Sequence, residues 1–334
     1  MKICLLGGDG IGPEVIAEAV KVLEALNNNK SDHKLIPFEF FPGDIGYNSY
    51  LKHGSALPET TLELARRCDA TLLGAVTTPP NIPNYTSPVL SLRRKLDLFA
   101  CVRRIQSKPN ETPCIDMVIV RENTEGLYSG REQATPDVAI TERVVTRTAS
   151  QRIVRFAFEE AVRSNYKLVT IVHKANVLRE TCGMFLKVAL EIASEYPNIN
   201  YEEMLVDTCA MELIRAPERF QVIVTTNLFG DILSDEAAAL VGGLGVAASA
   251  NIGTDNAVFE PVHGSAPDLA GSGYANPIAA ISSASIMLKH LKYHKAASRI
   301  ETAVDLAIES NAVTPDLGGT LSTAKFTDNL IKQL

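Results

Sequence analysis

No apolar run in this chain reaches the roughly 18 residues that a membrane span needs. Cysteine is sparse: the six at positions 4, 68, 101, 114, 182 and 209 form no CxxC pair and have no histidine at zinc spacing. That excludes a thiolate zinc site, and in a chain of this size without a secretion signal it disfavours disulfides, so the thiols are expected to pack as small hydrophobes. The opening Met1–Gly7 run is broken at once by Gly8-Asp9-Gly10, too short for a signal peptide, and reads as a buried first strand. An excess of positive charge is missing too: 32 Lys and Arg face 39 Asp and Glu, a formal net charge of −7 that argues against a nucleic-acid binder. Repeats, low-complexity tracts and long linkers are absent as well. The expectation is a cytoplasmic protein with no nucleic-acid or membrane partner. A few convergent arginines can still bind a small anion within an acidic chain.

What is present is an ordinary globular composition, 46% hydrophobic and 21% charged, over 334 residues. That length suits two lobes sharing a cleft better than one core. Apolar, β-branched runs at Lys2–Leu6, Ala70–Leu73, Asp116–Val120, Leu168–Val172 and Gln221–Thr225 predict strands. Amphipathic stretches at Pro13–Leu26, Glu59–Arg67, Ser150–Arg163 and Val177–Ser194 predict helices between them, and the C-terminal third reads as mostly helical through Ala275–Leu291 and Lys295–Ile308. The alternation predicts an α/β fold.

Gly8-Asp9-Gly10-Ile11-Gly12-Pro13-Glu14 follows a strand and precedes a helix, with Pro13 suited to the first turn. A dinucleotide fingerprint requires glycine where Pro13 stands, no acid completes the unit, and a P-loop Lys-Ser/Thr pair is missing. The ordinary Rossmann arrangement is disfavoured.

The segment Asn227-Leu228-Phe229-Gly230-Asp231-Ile232-Leu233-Ser234-Asp235 carries a stronger signal. Asp231 and Asp235 are four apart, so a helix stacks both carboxylates on one face, where like charges repel. A solvated helix face is the plain explanation. The apolar flanks Ile232, Leu233 and Ala237–Val241 favour a divalent cation held between hard oxygen ligands, Mg²⁺ or Mn²⁺. Arginines add a second signal: Arg93, Arg94, Arg103, Arg104 and Arg121 bracket two apolar runs, and Arg forks bind carboxylates bidentately. Arg94 and Arg104 can be surface charges, whereas Arg121 leaves a strand end, where open α/β sheets bind ligands. Tyr128 in the following loop and Lys174 at another strand end offer a proton-handling pair.

Together with Glu260-Pro261-Val262-His263-Gly264-Ser265-Ala266-Pro267-Asp268, the segments Arg121–Tyr128, His173–Asn176 and Asn227–Asp235 closely resemble the β-decarboxylating dehydrogenases: isocitrate, homoisocitrate, 3-isopropylmalate and tartrate/D-malate dehydrogenases. The resemblance runs from Gly8 to Gly319. It implies an isopropylmalate dehydrogenase-like two-lobed α/β fold with an open twisted sheet. Residues 1–99 and 243–334 are then a nucleotide lobe, and 100–242 a smaller lobe for dimerisation, substrate and metal. It implies Arg93, Arg103 and Arg121, with Ser87 and Asn176, as contacts to a di- or tricarboxylate substrate. Asp207, Asp231 and Asp235 become the metal carboxylates, Lys174 the base and Tyr128 the acid. NAD contacts are implied at Ile11, Thr77, Glu260, His263, Gly264, Ser265, Ala266, Asp268, Leu269 and Asn276. The equivalents of Lys174 and Asp207 reach into a neighbouring subunit's site in this family, so a homodimer with shared active sites is the minimal unit, with further pairing into tetramers left open.

The resemblance also bears on choice of ligand. NADP users tend to have lysine then tyrosine where Asp268-Leu269 stands here, and a carboxylate can accept from ribose hydroxyls while repelling a 2′-phosphate, which points to NAD. The stretch from Thr77 to Arg94, with Thr77-Thr78-Pro79, Pro83, Tyr85 and Ser87-Pro88, looks most like homoisocitrate dehydrogenases. Val89 stands where isocitrate enzymes often carry Asn, and the acid that isopropylmalate enzymes tend to have at the Ser87 place is missing. The expected order is homoisocitrate, with or instead of isocitrate, then 3-isopropylmalate. Departures are Arg104 for a usual proline, Cys101 for asparagine and Ala248 for proline; Arg104 adds charge near the expected site. A non-catalytic regulatory subunit would usually lack one of Tyr128, Lys174, Asp207, Asp231 or Asp235, and all five are here.

Overall fold

Apolar runs too short for helices and too continuous for an exposed sheet face form the strands. The computed structural model describes residues 1–27, 36–82, 85–107 and 112–334. Pro83 lies outside the described residues. In chain order the elements are β1 (Lys2–Gly8), α1 (Gly12–Ala25), β2 (Glu39–Pro42), α2 (Tyr47–His53), α3 (Glu59–Arg67), β3 (Ala70–Ala75) and α4 (Pro88–Lys95). Then come β4 (Ala100–Gln106), β5 (Asp116–Glu122), β6 (Glu132–Ala134), β7 (Ala139–Thr141), α5 (Arg147–Arg163), β8 (Leu168–His173), α6 (Thr181–Ala193), β9 (Asn200–Leu205), α7 (Val206–Arg215), β10 (Val222–Thr225) and α8 (Asn227–Ala239). The chain closes with β11 (Ala248–Ile252), β12 (Ala257–Pro261), α9 (Ile278–His290), α10 (His294–Glu309) and α11 (Thr323–Ile331). Among the described residues no helix is long and apolar enough to cross a membrane.

The chain divides into two compact units, Met1–Leu96 with Leu244–Ala250 and Thr254–Leu334, and Asp97–Gly243 with Asn251–Gly253. In the first unit the strand order is β2-β1-β3-β12, all parallel, with Leu5 opposite Leu72 and Phe259 opposite Leu72 on its other side. In the second the order is β4-β5-β10-β8-β9. β4 runs antiparallel to β5 and the remaining pairs are parallel. Parallel strands buried on both faces explain the near-continuous apolar sequences of β3, β5, β8 and β10. Thr225 pairs with both Arg121 and Val172, so the carboxyl ends of β5, β8 and β10 fall at one edge. That edge is where an open α/β sheet presents its ligand-binding loops.

Helix α5 shows the local logic. Thr146 precedes it with an extended backbone, and its hydroxyl accepts from Ala149 N–H, a capping bond. Ile153, Val154, Ala157, Phe158 and Ala161, three and four apart, then form its buried face. They pack on Val118, Val120, Ile171, Val222 and Val224 of the sheet and on Phe185 and Val188 of α6. The Phe158 ring stacks on Tyr196, centroids 5.1 Å apart.

Several expectations change. The C-terminal third holds strands β11 and β12 as well as helices. Ala-Ser-Ala-Asn in β11 has little strand propensity, and β12 is buried throughout, so neither alternates. Helix α6 starts at Thr181 rather than Val177, because 175–180 first form turns beyond β8. Arg104 does not add charge to the side of Arg103. Successive strand residues face opposite ways, and Arg104 pairs with Asp116 at 2.9 Å on the surface. All six thiols are free, with Cys4, Cys101, Cys182 and Cys209 buried.

Phe158→Ala should destabilise the protein by about 3–5 kcal/mol, because the cavity is lined on all sides by packed residues. Urea unfolding of the two proteins checks this; a loss below about 1 kcal/mol would show that the site collapses freely.

Candidate active site

In the second unit, Asp231 lies one turn into α8. Its Oδ1 accepts from Arg121 Nη1, and its Oδ2 accepts from the Tyr128 hydroxyl. Arg103 Nη2 lies 3.6 Å from the same Oδ1, while its Nη1 donates to Asp235 Oδ1 and, at 2.7 Å, to Ser234 Oγ. Arg121 is 2% exposed, and a buried guanidinium must spend its donors. Nε and Nη2 donate to Asn227 Oδ1 at 3.0 and 2.7 Å, and the Asn227 amide donates in turn to Glu125 O at 2.9 Å. The guanidinium carbon sits 5.2 Å from the centroid of the Tyr128 ring. Gly230 makes this possible: a Cβ there would lie 2.6 Å from Arg121 Cβ. The Tyr128 phenol is held above its ordinary pKa by burial first and then by the hydrogen bond to Asp231, so it stays protonated through neutral pH.

The helix therefore does stack two carboxylates on one face, but arginines already relieve their repulsion. The expectation of an apolar surround also fails at Ile232, which is 57% exposed. The side chains of Asp231 and Asp235 keep 32% and 50% exposure, so hard carboxylate oxygens remain open to solvent and their chemistry fits a divalent cation. Among the described residues no three acidic, histidine or cysteine groups gather around one point. Asp207, in the first turn of α7, pairs with Lys174 instead, and that bond holds its carboxyl below the usual carboxylate range. Asn176 is exposed in the turn after β8.

In the first unit the glycine-rich turn organises the other set. Asp9, which sequence reasoning passed over, is 3% exposed, and its carboxylate accepts from the backbone N–H of Tyr47, Asn48 and Thr77 at 2.7–2.8 Å. Gly8 and Gly10 have φ of +81° and +57°, and a Cβ on either would lie 1.9 Å from a carbonyl oxygen, of Ala75 and Ser265 respectively. Ile11 is buried, and its N–H donates to Ser265 O at 2.9 Å. Thr77 and Ser265 share a hydroxyl hydrogen bond of 2.7 Å. So Ile11, Thr77 and Ser265, far apart in sequence, meet at one turn. Arg93 Nη2 donates to Glu260 Oε1 at 3.0 Å, both largely buried. Ser87 begins α4 without a side-chain capping bond. Asn276 spends its amide on Asp316 at 2.8 Å and on Ile278 N–H at 3.0 Å.

His263 Nδ1 faces Gly264 O at 3.0 Å, while its Nε2 is buried with no hydrogen-bond partner. A Cβ on Gly264 would meet nothing within 4 Å, and Ala266, Asp268 and Leu269 beyond it are exposed. An orphaned buried imidazole nitrogen beside an open glycine fits a polar ligand such as a dinucleotide.

Burial also pushes the imidazoles of His173 and His263 below their ordinary 6.5. A depressed histidine binds fewer protons folded than unfolded, so stability should be full above about pH 6.5 and fall as pH drops below it. Unfolding free energies measured from pH 8 to pH 5 check this. His263→Gln should flatten the slope.

Comparison with known proteins gives one consistent result. The isocitrate/isopropylmalate dehydrogenase family model matches residues 2–330. An isocitrate/homoisocitrate dehydrogenase of Thermus thermophilus is 50% identical over 336 residues, covering all of this chain and 98% of that one. A homoisocitrate dehydrogenase of Methanocaldococcus jannaschii is 48% identical over 349 residues, with the same coverage. The crystal structure of an isocitrate dehydrogenase from Methylococcus capsulatus superposes with a TM-score of 0.93 at 45% identity, covering 99% of this chain and 98% of that one. With the fold, the motifs and these matches in agreement, the chain belongs to the isocitrate/isopropylmalate dehydrogenase family and is an oxidatively decarboxylating dehydrogenase.

Proposed function

We propose that this enzyme oxidises and decarboxylates homoisocitrate, with or instead of isocitrate, using NAD and Mg²⁺ or Mn²⁺ in the cytoplasm. The observation that carries the reading is Arg103, Arg121 and Tyr128 converging on Asp231 beside Asp235. Two guanidiniums recognise carboxylates, and two helix carboxylates recognise a hard cation. Residues 1–99 and 243–334 then serve the nucleotide, and 100–242 the substrate, the cation and dimerisation.

Arg93, Arg103 and Arg121 are assigned to the substrate carboxylates, and Asn176 is a further substrate contact. Ser87 donates to the group on the third carbon. Asp231 and Asp235 would hold the cation, with Asp207 of a second subunit as the third carboxylate. When bound there, a divalent ion would supply Lewis-acid chemistry, favouring loss of the alcohol proton and of CO₂. Lys174, also from the second subunit, takes the hydroxyl proton. Ile11, Thr77, Glu260, His263, Gly264, Ser265, Ala266, Asp268, Leu269 and Asn276 would hold NAD, which would supply the hydride acceptor. Tyr128 returns a proton to the carbon that lost CO₂, and its raised pKa keeps that proton available. Asp268 selects NAD by accepting from ribose hydroxyls and repelling a 2′-phosphate.

Shared sites are supported by α7. Asp207, Met211 and Ile214 are four and three apart, so they lie on one helix face, where Met211 and Ile214 are 48% and 62% exposed. Val138 and Ile140 in the exposed β6–β7 hairpin add further uncovered apolar surface. A second copy covering these surfaces would bring Lys174 and Asp207 to its neighbour's aspartates. 3-Isopropylmalate is the competing substrate, because Val89 and Leu90 lie four and three before Arg93 on α4 and could pack an apolar group.

Steady-state kinetics on homoisocitrate, isocitrate, 3-isopropylmalate and D-malate with NAD and Mg²⁺ should rank kcat/KM in that order. A higher value for 3-isopropylmalate, or for NADP over NAD, would overturn the respective choice. Tyr128→Phe should cut kcat about 100-fold or more with little change in KM. Intact turnover with a raised KM would remove Tyr128 from the acid role.

A further inference from the structure

Arg143 lies between the β6–β7 hairpin and α5, and its guanidinium reaches three groups. Nη2 donates to Thr226 Oγ1 at 2.8 Å, Nη1 donates to Cys182 Sγ at 3.3 Å, and the guanidinium carbon sits 4.8 Å from the centroid of the Phe229 ring. Cys182 belongs to the first turn of α6, Thr226 immediately precedes α8, and Phe229 is in the first turn of α8.

Two local preferences are set aside here. Thr226 has the extended backbone of a capping residue, φ −73° and ψ 165°, yet its hydroxyl caps nothing and accepts from Arg143. The arginine also puts positive charge at a helix N-terminus, where the backbone N–H groups already concentrate it. Neither choice favours the helix by itself. What they fix lies directly downstream: Asn227 clamps two donors of Arg121, Gly230 lets α8 approach Arg121, and Asp231 and Asp235 follow.

We propose that Arg143 is a positioning residue. It ties the first turn of α8 to α6 and so sets where Asn227, Asp231 and Asp235 stand against Arg121 and Arg103. The proposal rests on the reading of those groups as substrate and cation ligands. Arg143 itself touches no reacting group. A residue behind a ligand set of this kind is worth about 10- to 100-fold in affinity or activity.

Arg143→Met keeps an unbranched chain against Phe229 and removes the donors. It should lower kcat/KM for the hydroxy acid about 10- to 100-fold. Mn²⁺ affinity, measured by calorimetry without substrate or NAD, should fall too, while the KM for NAD holds. The thermal midpoint should stay level or rise, since Thr226 is freed to cap and a like charge is gone, whereas a purely structural arginine would lower it. Thr226→Val should reproduce the loss, Thr226→Ser should retain activity, and Arg143→Met with Thr226→Val should be no worse than either alone. Unchanged kcat/KM and Mn²⁺ affinity in Arg143→Met, or an activity loss that tracks a lowered midpoint, would overturn the proposal. Should Arg143→Met fail to fold, the Thr226→Val and Thr226→Ser pair decides by the same readouts. Asp231→Asn is measured alongside. If it leaves turnover and Mn²⁺ binding intact, the reading of the site fails. If it abolishes both while Arg143→Met alters neither, only the positioning role fails.

Discussion

The carboxylate of Asp231 is shared by groups from three other stretches of chain: Arg121 on β5, Arg103 on β4 and Tyr128 in the turn beyond β5. Arg121 sets the terms. A guanidinium that is 2% exposed is tolerated only when its donors are met and its charge is answered. Asn227 meets two donors, Asp231 answers the charge, and both stand on the helix that Gly230 lets close on β5. Arg121 and the buried face of Leu233, Ala237 and Ala238 together hold α8 against the sheet.

Under the proposed chemistry the same arrangement explains how charged ligands enter without stranding a charge. The aspartates and arginines neutralise one another in the resting chain. A cation arriving with a polycarboxylate would let aspartates turn to the metal and arginines to the substrate. Partners are exchanged and each buried charge keeps an opposite one beside it, which matters most for the most deeply buried member, Arg121.

Much of this was legible from residue spacing. The strands at 2–8, 70–75, 116–122, 168–173 and 222–225 are continuous apolar runs, and the alignment of Asp231 with Asp235 follows from helical periodicity alone. β11 and β12 were not legible, because short strands of small or wholly buried residues carry no period. Nor was Asp9. A single acid among glycines has no pattern of its own, and its role appears only when the N–H groups of Tyr47, Asn48 and Thr77 converge on it from 38 to 68 residues away. The partner of Arg104 was hidden for a similar reason: only the pairing of β4 with β5 shows that Asp116 lies within its reach. Family motifs supplied what periodicity could not, the grouping of His263, Gly264 and Ser265 with Thr77 and Ile11.

The first unit is built from both chain termini, with α1 packed on α9 and α11. The second unit is nearly uninterrupted from Asp97 to Gly243. On a ribosome the two therefore mature in inverted order. By the time residue 253 has emerged, the middle of the polypeptide has every strand partner it will use and can fold as a unit. Within residues 1–96 α1 can pack on β1 and β3, but its contacts with α9 and α11 must wait until those helices are made. Nascent chains stalled short of residue 323 would thus carry a finished second unit and a first unit still lacking α11.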